Sequence, residues 1–104
     1  MALTPQARET FTRLFGAEPQ PHPTDPELFD ILQNEIFDEA FSTGVLTDVE
    51  RELLTISVLT AMQTLSQLKA HAGAALNIGA TPLQLRETIY QCAPYIGFPK
   101  TLNA

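Results

Sequence analysis

The chain has 104 residues, 44% of them hydrophobic, with a formal charge of −6 and a pI near 4.6. That length fits one domain, and the acidic balance excludes nucleic acid or an anionic membrane surface as the main partner, since both require a basic face. The one cysteine, Cys92, permits no internal disulfide. No basic and apolar leader opens the chain, and no apolar run approaches the roughly 18 residues of a membrane span, so a soluble, cytoplasmic protein is expected.

The elements follow from regular punctuation. Thr4-Pro5 opens a first helix with a cap and a proline at its first position, and Gly16 stops it. Pro19-Gln20-Pro21-His22-Pro23 reads as an extended linker, so the expected organisation is an N-terminal helix with linker over 1–23 and a helical domain over 24–104. Asp25-Pro26-Glu27 starts a second helix that carries Leu28, Ile31, Leu32 and Ile36 and closes at Gly44. Thr47-Asp48-Val49-Glu50 is a capping box. The third helix behind it is apolar nearly all round, from Leu53 to Met62, and is expected to be the central, buried one. A break near Gln63 or Thr64 leads to a fourth helix with Leu65, Leu68, Ala72 and Ala75, ended by Gly79. Thr81-Pro82-Leu83-Gln84 caps a fifth, which Pro94 should kink or end before Gly97-Phe98-Pro99 turns the chain. No segment alternates with the period of a strand. The expected fold is therefore all-α: a single domain of about five helices with a central antiparallel pair made by the third and fourth.

One constellation carries chemistry. Thr64, Gln67 and His71 stand at i, i+3 and i+7, and share a face of the fourth helix with Leu68, Ala75 and Ile78. Glu52 shares a face of the third helix with Ile56, Leu59 and Gln63. In an antiparallel hairpin Glu52, about ten residues before the turn, and His71, about eight after it, reach a similar height. A carboxylate there would orient the imidazole and fix its tautomer, which makes an acid/base device. A hydrogen-bonded core histidine, with Glu52 serving only the helix N-terminus, is the competing reading. His22 has no second ligand nearby, so no metal site is expected. Cys92 sits at an apolar helical position without a C-x-x-C partner. Phe29, Phe37 and Phe41 on the second helix give more apolar surface than so small a chain easily hides, which points to a homo-oligomer.

Three blocks carry a resemblance. Thr47-Asp48-Val49-Glu50-Arg51-Glu52-Leu53-Leu54-Thr55 is followed by Gln67-Leu68-Lys69-Ala70-His71 and Ala74 to Pro82, and then by Tyr95-Ile96-Gly97-Phe98-Pro99 with Leu102-Asn103-Ala104. In order and spacing, over roughly residues 28 to 104, they resemble the carboxymuconolactone decarboxylase family. The resemblance implies an all-α, alkylhydroperoxidase D-like fold and assembly into trimers or hexamers. It also implies one of two chemistries. The first is cofactor-free decarboxylation of a small carboxylated lactone. His71 and Glu52 would be the catalytic residues, and Thr64 and Gln67 would bind the substrate. The second, thiol peroxidase chemistry, uses a Glu, a C-x-x-C pair and a His; Glu52 and His71 keep their places, but Thr64 and Gln67 occupy both cysteine positions, so peroxidase activity is not expected. A non-catalytic small-molecule binding or assembly module of the same fold is the alternative, with thiol redox chemistry through Cys92 as a third.

Overall fold

The local chemistry of the caps sets the helix boundaries. In the computed structural model the described residues are 2–104; Met1, the first residue of the expected N-terminal segment, lies outside them. Every regular element among them is helical and no strand is present, so the all-α class holds. Backbone proximity divides the chain into two units, one ending at Leu46 and one spanning Thr47–Ala104.

In the first unit, helix α1 (Pro5–Phe15) starts where the Thr4 hydroxyl accepts the Ala7 N–H at 3.1 Å, and it stops at Gly16 with φ +72°. Helix α2 (Pro26–Asn34) continues into a π-helical turn (Glu35–Ala40) and a 3₁₀ turn (Phe41–Thr43), with Gly44 at φ +73° closing the run. Thr4 ties the two helices together. Its N–H donates to Asn34 Oδ1 at 2.9 Å and its hydroxyl to Asp38 Oδ2 at 2.7 Å. Behind these bonds Phe11, Phe15, Phe37 and Phe41 form an aromatic cluster, with Phe37 packed edge-on to both Phe11 and Phe15. The expectation that Phe37 adds to the apolar surface is therefore corrected, since Phe37 is buried. The exposed apolar residues of α2 and the π-helical turn are instead Leu28, Ile31, Leu32 and Ile36.

In the second unit, helix α3 (Asp48–Met62) opens with the expected capping box: Thr47 N–H donates to Glu50 Oε1 at 2.9 Å, and Glu50 N–H to the Thr47 hydroxyl at 3.1 Å. Only one stripe of α3 is buried: Glu52, Ile56 and Thr60, at i, i+4 and i+8. Leu54, Val58 and Met62 are more than half exposed, which corrects the picture of a helix buried all round. A helix whose apolar residues occupy every face still has only one side turned to its neighbours. The chain reverses at Gln63, whose backbone takes the left-handed conformation at φ +58°, and helix α4 (Leu65–Asn77) returns along α3. Helix α5 (Pro82–Ile96) begins in the second capping box, Thr81 with Gln84.

Pro94 neither ends α5 nor lies beyond it; the helix runs on to Ile96. Pro94 stands three residues before the Gly97 cap, so its missing N–H removes just one hydrogen bond from the last turn. Gly97, at φ +87°, then turns the chain into a sixth helix, α6 (Phe98–Asn103), where a plain turn was expected; Pro99 falls in its first turn, where no N–H is needed. Gln63 fastens α6 to the hairpin: its Nε2 donates to the carbonyls of Thr60 and Lys100, and its Oε1 accepts from Asn103 Nδ2.

The Thr47 backbone N–H, and after it the Thr47 hydroxyl, hold the Glu50 carboxyl below its ordinary range. A depressed folded value adds stability above the unfolded value and loses it as pH falls through the folded one. Glu50→Gln should therefore melt below the wild type at neutral pH, and the gap should close as the pH drops below the carboxylate range. Thermal melts followed by circular dichroism at stepped pH check this.

Candidate functional site

Of the four residues singled out by the sequence, the structure brings two together. Glu52 sits one turn into α3 on its buried stripe and is 1% exposed. His71 lies in the middle of α4 with its side chain 16% exposed, and its Nδ1 is 2.8 Å from Glu52 Oε2. The antiparallel register of α3 and α4 creates the contact, since the two residues lie at matching distances from the Gln63 turn. With Glu52 ionised, Nδ1–H donates to the carboxylate, which fixes the ring orientation and its tautomer. A carboxylate this deeply buried beside an imidazole is partnered rather than stranded.

Thr64 and Gln67 are placed differently. Thr64 is half-buried at the N-cap position of α4, where its side chain makes no capping bond. Gln67, one turn before His71, is exposed, although the periodicity turned it inward with His71. Neither side chain hydrogen-bonds to the Glu52–His71 pair among the described residues.

The remaining candidates have structural duties. His22 Nδ1 accepts the N–H groups of Thr24 and Asp25 at 3.2 and 3.1 Å, which holds the turn that leads into α2. Cys92, half-buried on α5, directs its thiol to the carbonyls of Thr88 and Ser57. Among the described residues no group of three or more His, Cys, Asp or Glu side chains could hold a metal ion, and no helix is long and apolar enough to cross a membrane.

Sequence reasoning missed a half-open cleft of about 280 Å³ beside this hairpin, floored by Ile56 and walled by α4 and α5. None of the four singled-out residues lines it. Its only sequence signal is the pairing of Leu65 with Leu68 and of Leu85 with Ile89, a spacing that any core would also show.

Compared with known proteins, the chain matches the carboxymuconolactone decarboxylase family over residues 26–104. It is 38% identical over 61 residues to the 4-carboxymuconolactone decarboxylase of Acinetobacter baylyi, a stretch that covers 59% of this chain and 46% of that protein. It is 33% identical over 55 residues to the nitrosuccinic acid decarboxylase npaB of Metarhizium robertsii, covering 53% of this chain and 38% of that one. The matched stretch thus spans less than half the length of either relative.

Proposed function

The chain belongs to the carboxymuconolactone decarboxylase family, and on that premise we propose that it is a cofactor-free carboxy-lyase acting on a small carboxylated substrate, with His71 as the acid/base. The observation that carries this reading is the 2.8 Å contact between His71 Nδ1 and the buried Glu52 carboxylate. The names of the two relatives support it, because each denotes removal of a carboxyl group from an acid that also bears an electron-accepting group, a lactone in one and a nitro group in the other.

The chemistry asks little of the protein. The bond between the substrate carbon and its carboxylate breaks, carbon dioxide leaves, and the electron pair flows into the acceptor group. His71 then delivers the proton on Nε2 to carbon and regains one from solvent, so charge and atoms balance. Glu52 holds the ring and stabilises its charged form during the cycle. Thr64 and Gln67, on the same side of α4, would hydrogen-bond the lactone or a carboxylate and orient the substrate.

The test is direct. The purified chain is incubated with 4-carboxymuconolactone and with nitrosuccinate, and both the ultraviolet absorbance and released carbon dioxide are followed. Turnover of either acid above the uncatalysed rate supports the proposal. Folded protein that releases no carbon dioxide from either would favour the alternative, a non-catalytic binding module of the same fold.

A further inference from the structure

Helix α3 ends in a Schellman turn. The N–H of Gln63 donates to the Thr60 carbonyl at 3.2 Å, and the N–H of Thr64 to the Leu59 carbonyl at 3.1 Å. The left-handed position of that turn, at φ +58°, belongs to Gln63, the one residue other than glycine with a positive φ among the described residues. Glycine takes this conformation without the steric cost that a Cβ brings. The glutamine side chain offsets that cost through its amide. Nε2 donates to the Lys100 carbonyl at 2.8 Å and Oε1 accepts from Asn103 Nδ2 at 3.0 Å, across 37 and 40 residues of chain.

Helix α6 has little else to hold it. Phe98 and Leu102 are 75% and 83% exposed, and Thr101 is the one buried residue of the helix. Among the described residues no other side-chain hydrogen bond joins α6 to α3, α4 or α5. At its start Gly97 links it to α5 with φ +87° and ψ 158°, a backbone region open in practice to glycine alone. An element with few buried apolar contacts opens at lower free energy than the helices it lies against. A glycine joint lets it do so while α5 stays in place.

We propose that α6 is a strap, with Gly97 as its joint and the Gln63 amide as its clasp, that opens as one unit while the α3–α4 hairpin stays closed. Its opening takes Asn103 off the end of the cleft over Ile56. The inference does not rest on the carboxy-lyase reading, since neither Glu52 nor His71 takes part in it.

The test is native-state amide hydrogen exchange on the full chain. Gln63→Gly suits the turn and removes both bonds to α6, so it should lower the protection of the Thr101 amide by roughly five- to thirtyfold. The Ile56 and Thr60 amides of α3 should keep theirs. Asn103→Ala removes one of the two bonds at an exposed position and should lower protection less, by roughly two- to tenfold. The double variant should fall no further than Gln63→Gly, because Asn103 then has no partner left to lose. In the wild type the Thr101, Leu102 and Asn103 amides should share one opening constant. The proposal is overturned if Gln63→Gly leaves Thr101 as protected as before, or if the α3 amides lose protection by the same factor. It is equally overturned if the losses of Gln63→Gly and Asn103→Ala simply add, or if protection is graded along α6, which is the fraying of a helix end.

Discussion

On the proposed carboxy-lyase reading, His71→Ala is expected to lower turnover of the substrate acid by roughly 10²- to 10⁴-fold, the range for loss of a positioned proton donor. The fold should survive. The side chain sits at the edge of the α3–α4 pair with 16% of its surface open, and alanine suits a mid-helix position. The loss should fall on kcat and leave KM nearly unchanged, because a proposed proton donor acts only as the transition state is passed. Added imidazole should restore part of the rate, which a purely structural role for His71 would not allow. Glu52→Gln should lose less than His71→Ala, since the amide oxygen still accepts the Nδ1 proton while the charge that supports the ring is gone. The measurements are steady-state kinetics with and without imidazole, alongside far-ultraviolet circular dichroism. Full activity in His71→Ala on a verified substrate would end the assignment.

The features legible in the sequence are those whose physics is local. The Thr47–Glu50 and Thr81–Gln84 boxes satisfy helix N-terminal donors within four residues, so their spacing alone announces them. The Glu52–His71 contact was also legible, because a tight hairpin fixes the register of its two helices about the turn. What was lost needed tertiary information. Leu54, Val58 and Met62 look as apolar as Ile56, and nothing in their order says which stripe the neighbouring helices cover. Phe37 turns inward because Phe11 and Phe15, more than twenty residues earlier, are there to receive it. Pro94 is a helix breaker by type and is tolerated by position. Gln67 lies about 100° from Leu68, at the margin of the buried stripe, where a small rotation of α4 decides between burial and solvent. The cleft depends on how far apart α4 and α5 stand over Ile56, a distance that no periodicity encodes.

Ile56→Ala is expected to reduce the unfolding free energy of the second unit by about 2–5 kcal/mol. Ile56 has no exposed surface, and it lies one turn from Glu52 on one side and from Thr60 on the other. Removing three of its four side-chain carbons deletes contacts to the α4 and α5 walls and extends the cleft it floors. Ile56→Val, which removes a single methyl group, should cost only about 0.5–1.5 kcal/mol. Val58→Ala is the control: on the same helix but 54% exposed, it should stay within about 0.5 kcal/mol of wild type. Thr60→Val should go the other way. Thr60 is fully buried and its Oγ1 has no hydrogen-bond partner among the described residues, so a methyl group of nearly the same shape avoids the cost of burying an unpaired hydroxyl and should stabilise by about 1 kcal/mol. Urea titrations of the four variants give the ranking, with an unchanged slope required for the comparison. If Val58→Ala proved as costly as Ile56→Ala, the buried stripe would be wrongly placed. If Thr60→Val proved destabilising, its hydroxyl would have a partner in solution.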